Sequence, residues 1–273
     1  MKRILFAIAL LCSLTAARAQ SSCGIENTAF RSGEFLTYDL HFNWKFVWVK
    51  VGTATMSTVM TTYEGQPAYR TSLTTGGNSK LDGVFTMRDT LLSYCNLSDL
   101  SPLYYRKGAR EGKRYYIDEL WYSYPEGKNH VKMHRRHNSG KHTYDEQDFE
   151  QCIYDMMSIF LRARNFDAST MKKGDIIPMP IMDAKKLTNS WLHFRGTDTF
   201  KVEGSKEKFR CLVFSFIEQD PKKKKKHELI RFYVTDDKNH LPVRLDMNLS
   251  FGTAKAYLRS YQGVRNEMTS IIK

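Results

Sequence analysis

Three histidines fall close together at His130, His134 and His137. The H-x-x-x-H spacing of the first two can bring imidazoles to one side of a helix or strand, as a metal ion requires. Lys132, Arg135, Arg136 and Lys141 crowd the same stretch, and no neighbouring carboxylate in the sequence offsets them. The expectation is a solvated basic hairpin rather than a metal site. Asp236-Asp237 is the most visible acid pair, and paired acids can hydrolyse glycosides. It is followed by Lys238-Asn239, which reads as a hairpin turn, where Asp bonds its own backbone. There is no H-E-x-x-H and no G-x-S-x-G, and no Gly-rich loop joins a strand to a helix. No catalytic, cofactor-binding or metal-binding residue is assigned, and no cofactor is expected.

Two basic stretches carry the remaining chemistry. Tyr104, Tyr105, Tyr115, Tyr116, Trp121, Tyr122 and Tyr124 interleave with Arg106, Lys107, Arg110, Lys113 and Arg114. Aromatic faces beside cations bind sugar rings or lipid head groups; a hairpin with one buried aromatic face gives the same pattern. The lysine run 222–226 reads as a solvated hairpin tip that discourages edge pairing, or as a contact for an anionic membrane.

The elements that must position these residues are strands. Leu36, Tyr38, Leu40, Phe42, Trp44, Phe46 and Trp48 occupy every second position, the period of a strand with one buried face. Val47, Val49 and Val51 make the other face apolar near its end, and Gly52 marks an expected bend. If the fold has a pocket, Trp44, Phe46 and Trp48 are candidates to line it, with Tyr115 and Trp121 as further ligand-facing candidates. Strand-like runs recur about every ten residues between turn signals such as Glu64-Gly65, Ser101-Pro102 and Pro125-Glu126-Gly127. Gly76 to Gly83 interrupts them and can hold a helical turn. One helix is expected at about 147–165, capped by Asp145 or Asp148, with Phe149, Cys152 or Ile153, Met156, Phe160 and Ala163 on one face. The expected fold is mainly β: an antiparallel curved sheet or open barrel built from two meanders, with one main helix.

The N-terminus has the three parts of a secretion leader: Lys2-Arg3, the apolar run Ile4 to Leu14, and Ala17-Arg18-Ala19. Residues 1–19 are expected to be removed before Gln20, leaving one β-rich domain over 20–273. The formal charge is +13, and loss of Lys2, Arg3 and Arg18 leaves it strongly basic. That balance favours an anionic lipid, glycan or protein partner, and export argues against nucleic acid. Cleavage leaves Cys23, Cys95, Cys152 and Cys211, with no C-x-x-C. Oxidation is permitted outside the cytoplasm, and the spacing chooses no pairing. The expectation is a disulfide drawn from Cys95, Cys152 and Cys211, with Cys23 free beside the new terminus; buried free thiols are the alternative.

Several short motifs occur in order: Phe30-x-x-Gly33-Glu34-x-Leu36-x-Tyr38, Val49-x-Val51-Gly52, Tyr154-Asp155 with Arg162, Gly174-Asp175, and Asp236-Asp237 followed by Leu241-Pro242-Val243. Together they resemble the domain of unknown function 3108 family of exported bacterial proteins. The resemblance implies a periplasmic protein and supplies no catalytic residue. The expected function is a non-catalytic binding or envelope-assembly module; a hydrolase acting on an envelope polymer is the alternative.

Overall fold

The computed structural model describes residues 23–44, 47–77, 87–111, 114–183, 185–202, 207–219, 224–249 and 252–272. A first meander holds β1 (Glu34–Trp44), β2 (Val47–Tyr63), β3 (Gln66–Gly77), β4 (Met87–Asn96), β5 (Pro102–Glu111), β6 (Arg114–Ser123), β7 (Asn129–Arg136) and β8 (His142–Phe149). Helix α1 (Met156–Ala163) follows, then the short strands β9 (Ile176–Pro178), β10 (Ile181–Asp183) and β11 (Lys186–Thr188). A second meander holds β12 (Ser190–Lys201), β13 (Lys208–Gln219), β14 (Lys226–Thr235), β15 (Pro242–Leu249) and β16 (Gly252–Gln262), and β17 (Ile271–Ile272) pairs with β13.

Strand β1 lies between β2 and β16, so the beginning and end of the chain join the two meanders into one antiparallel sheet. The sheet curls. Leu36 and Tyr38 of β1, Tyr105 of β5, Val131 of β7, Phe209 of β13 and Val243 of β15 share one buried cluster. Alternation explains the curl, because every second residue of strands such as β1, with Leu36, Tyr38 and Leu40, is apolar and must leave water. The edge strands are β8 and β9. Lys185 donates to the Tyr144 carbonyl at 2.7 Å beside β8, so the end of the β10–β11 hairpin reaches that edge.

The expected strand 36–48 falls on two strands, β1 ending at Trp44 and β2 starting at Val47, which pair with each other. Gly52 sits opposite Leu40 beside an irregularity in the β1–β2 register. A Cβ there would meet the Gly76 carbonyl oxygen at 2.3 Å, so glycine is needed for close strand approach. Strand β3 continues through Gly77, and the rest of the expected break lies outside the described residues, as does the leader.

The helix is shorter than 147–165. Residues 142–149 pair in register with β7, so cross-strand bonding overrides the local helical period. Asp155, rather than Asp145 or Asp148, is the N-cap. Its Oδ1 accepts from the Met157 and Ser158 N–H groups at 2.8 Å, and Ser158 Oγ accepts from the Asp155 N–H, completing a capping box. Met157, Ile159 and Leu161 each enter a different buried cluster, so this short helix fills the space where three packing regions meet.

The cysteine expectation is also corrected. Cys23 is bonded to Cys152, while Cys95 and Cys211 are buried free thiols. Cys23 is held because residues 23–33 lie across the fold rather than trailing from it: Arg162 donates to the Cys23 carbonyl and Arg265 to the Asn27 carbonyl. Burial pushes the Cys211 thiol up to about 12, so it is a poor nucleophile.

A buried ion pair joins distant parts of the chain. Arg164 Nη1 and Nη2 donate to Glu34 Oε1 and Oε2 at 2.6 and 2.9 Å, and both side chains are 1% exposed. Arg164 also donates to the Asn239 carbonyl, and its guanidinium lies 5.4 Å from the Phe30 ring centre. Asn239 bonds the backbone of Asn266 through both ends of its amide. The Asp236-Asp237 turn is structural: Asp237 accepts from Thr235 Oγ, the Asn239 N–H and Ser270 Oγ.

Removing one member of a fully buried pair strands the other, at a cost of about 3–5 kcal/mol. Glu34→Ala and Arg164→Ala are each expected to lose about that much stability in urea unfolding, and Glu34→Leu/Arg164→Met to recover part of it. A second expectation follows from Asp155, which is fully buried and whose Oδ2 has no partner among the described residues. Burial raises its pKa to about 6, against the opposing hydrogen bonds from Ser158 and Met157. The fold therefore favours the protonated form, and the strain of ionising Asp155 grows as pH rises from 3.8 to about 6. Asp155→Asn should gain on the natural protein by about 3 kcal/mol between pH 3.5 and 7, read from paired unfolding curves.

Candidate functional site

Strand alternation puts Tyr105, Leu120, Tyr122, Val131 and Met133 inside the barrel. Their neighbours Tyr104, Glu119, Trp121, Lys132 and His134 therefore face outward. Register lines these up. Tyr94 lies opposite Tyr104, Tyr104 opposite Trp121, Glu119 opposite His134, and His134 opposite Tyr144.

The result is a row of rings running across the outer face from Tyr63 on β2 to Tyr144 on β8. Tyr63 stacks on Tyr104 at 5.6 Å between centres, Tyr104 lies 5.5 Å from Trp121, and Trp121 lies 6.5 Å from His134. The His134 ring lies near-parallel to Tyr144, 4.6 Å between centres, and edge to edge with His142 at 5.0 Å. Tyr144 is 70% exposed. An open groove of ≈ 780 Å³ runs beside the row, lined in part by Tyr63, Glu64, Trp121, Lys132, Tyr144 and Glu146.

A hydrogen-bonded chain threads the rings. Tyr104 Oη donates to Glu119 Oε1 at 2.5 Å, His134 Nδ1 meets Glu119 Oε2 at 2.8 Å, and His134 Nε2 meets His142 Nδ1 at 2.9 Å. With both imidazoles neutral, His134 donates to Glu119 and accepts from His142, which leaves His142 Nε2 as an acceptor. Burial would raise the Glu119 carboxyl, but the bonds from Tyr104 and His134 outweigh it and hold the pKa below the usual range. Burial, with Glu64 nearby, pushes the Tyr63 hydroxyl up to about 12.

The three histidines picked out by spacing do not converge. His130 pairs with Asp148 at 2.6 Å, His134 with Glu119, and His137 meets Thr143 Oγ at 3.3 Å. The carboxylates missing from the local sequence come from the strands alongside. Of the candidate ligand-facing residues, Trp121 lies in the row. Tyr115 is on the same strand and face, six residues away and 40% exposed. Trp48 is elsewhere, near the tip of the β1–β2 hairpin. Phe46 and the side chain of Trp44 lie outside the described residues. Glu119, His142 and Tyr144 were not singled out from the sequence; a β7–β8 hairpin placed over 129–149 would have paired His134 with Tyr144.

The family model for the proteins of unknown function DUF3108 matches residues 37–259. The chain belongs to that family. No curated protein matches the sequence. Among solved structures, the crystal structure of a beta-barrel-like protein of domain of unknown function DUF1849 from Brucella abortus is similar, with a TM-score of 0.55 and 11% identity. The match covers 89% of this chain and 100% of that one. At that identity the likeness speaks for the fold alone. In this DUF3108 protein, several of the motif residues build the scaffold: Glu34 and Asp237 sit in the buried polar network, Asp155 caps α1, and the buried Tyr38 donates to the Pro242 carbonyl at 3.1 Å. The row uses other residues.

The hydrogen bond from Tyr104 gives a direct expectation. Tyr104→Phe should raise the Glu119 pKa, followed by carboxyl-carbon NMR titration. An unmoved Glu119 would show that the bond does not set its ionisation.

Proposed function

We propose that this DUF3108 protein is an exported, non-catalytic binding or assembly module of the cell envelope, with the outer-face ring row as a contact surface. The observation that carries this reading is the row itself: partly exposed rings flanking the buried His134, with one carboxylate and two imidazoles already bonded to one another, beside an open groove. Aromatic rings flanked by fixed donors and acceptors suit recognition of a polymer such as a glycan. The leader pattern supports export, and so does the Cys23–Cys152 disulfide, since such bonds persist in oxidising compartments. The basic charge suits an anionic lipid, glycan or protein as partner.

A hydrolase acting on an envelope polymer needs convergent carboxylates, such as the facing pair of a glycosidase, or histidines gathered around a metal. Glu119, the row's central acid, is instead engaged by Tyr104 and His134. Native mass spectrometry of protein taken from its own periplasm tests the reading, scored for lipid or glycan. A co-purifying ligand is expected, and any glycan should be at least tenfold depleted in Trp121→Ala/Tyr144→Ala. Turnover of an envelope polymer that Glu119→Gln abolishes would overturn it.

A further inference from the structure

The register sorts the connections between long strands to two ends of the barrel. The Glu34–Arg164 network and the Asp236-Asp237 turn occupy one end. The paired ends Trp44 and Val47, Gln219 and Lys226, and Leu249 and Gly252 lie at the other. On that second end the β1–β2 hairpin has an unusual surface. Val47, Trp48 and Val49 follow one another and are 63%, 37% and 38% exposed. A strand with one buried face should alternate apolar and polar residues, and here both faces are apolar and wet. Leu249, 39% exposed, ends β15, two strands from the hairpin.

Cations surround this tip. Lys255 Nζ lies 4.2 Å from the centre of the Trp48 ring, and Lys50 follows Val49 and reaches Asp39 at 2.7 Å. Beyond β16 and β15 on the same end, the chain entering β14 carries Lys224, Lys225 and Lys226, all exposed. Asn248 donates to the Glu228 carbonyl at 3.0 Å, which ties the β15 and β14 tips together. The Glu228 carboxylate is already held by Arg231 and Arg195.

We infer that this end of the barrel docks on an anionic phospholipid surface, with Val47, Trp48 and Val49 entering the head-group region and the lysines meeting phosphates. The inference rests on the binding reading and names one class of partner for it. A narrow hairpin tip presents far less than the roughly 800 Å² per side that a stable protein partner covers. A bilayer needs no matching shape: tryptophan settles at the head-group level and cations meet the negative surface. The excess of positive charge over the whole chain favours an anionic bilayer over a neutral one.

The test uses the full mature chain and vesicles of phosphatidylglycerol mixed with phosphatidylethanolamine, against vesicles of phosphatidylcholine alone. Co-sedimentation with the anionic vesicles, weakened by salt, and a blue shift of tryptophan emission are expected. Val47→Ser/Trp48→Ser should weaken binding at least tenfold with an unchanged melting temperature, and Lys224→Gln/Lys225→Gln should weaken it and flatten its salt dependence. Trp121→Ala/Tyr144→Ala should bind vesicles normally, which separates this surface from the row. Equal binding to both vesicle types, indifference to the tip substitutions, or no binding at low salt would overturn the inference. If vesicles fail while a glycan still co-purifies through the row, only the bilayer inference falls.

Discussion

Glu34 and Arg164 are 130 positions apart in sequence, and both are removed from water in a bidentate ion pair. Neither charge can be buried without the other. Satisfying them fixes the entrance to β1, the end of α1 and the turn before β15 in one arrangement, because Arg164 also needs the Asn239 carbonyl. Asn239 in turn holds the backbone after β16. The pair therefore sets where the N-terminal segment, the helix and the C-terminal tail meet, and the sheet between them follows. Hydrophobic burial drives the curl of the sheet; this polar contact selects one way of curling it.

Much of the architecture is legible in the residues. Leu36, Tyr38 and Leu40 alternate as a strand does, and they face the core. The regular spacing of turn signals anticipates two meanders. Local sequence misleads where a distant partner decides. Residues 142–149 carry charges that imitate a helix start, yet their backbone bonds go to β7. Cys23 looks free from its place near a terminus, yet the N-terminal segment crosses the fold and brings it to Cys152.

The ring row was hidden for a related reason. Tyr63, Tyr104, Trp121, His134 and Tyr144 come from five strands, and no short motif contains them. Only the register makes them neighbours, and a one-residue slip would send each to the opposite face. The scaffold motifs fared better, since each is a short run of chain: Asp155 caps the helix that follows it directly, although Glu34 finds its partner Arg164 130 residues away. A family signature of that kind describes how the barrel is held together and is silent about its outer face.

Strand β1 sits in the middle of the finished sheet, yet its two neighbours are made at very different times. Strand β2 follows it directly, while β16 lies more than two hundred residues later. An emerging chain therefore carries a long strand with one side paired and the other bare until nearly all of it is present. Gly263 then crosses so close to Gly33 that a Cβ there would lie 2.2 Å from its carbonyl oxygen. The last long strand thus works as a clasp, and a chain cut short before it would expose a bare edge from its most central strand, the kind of edge that recruits other chains.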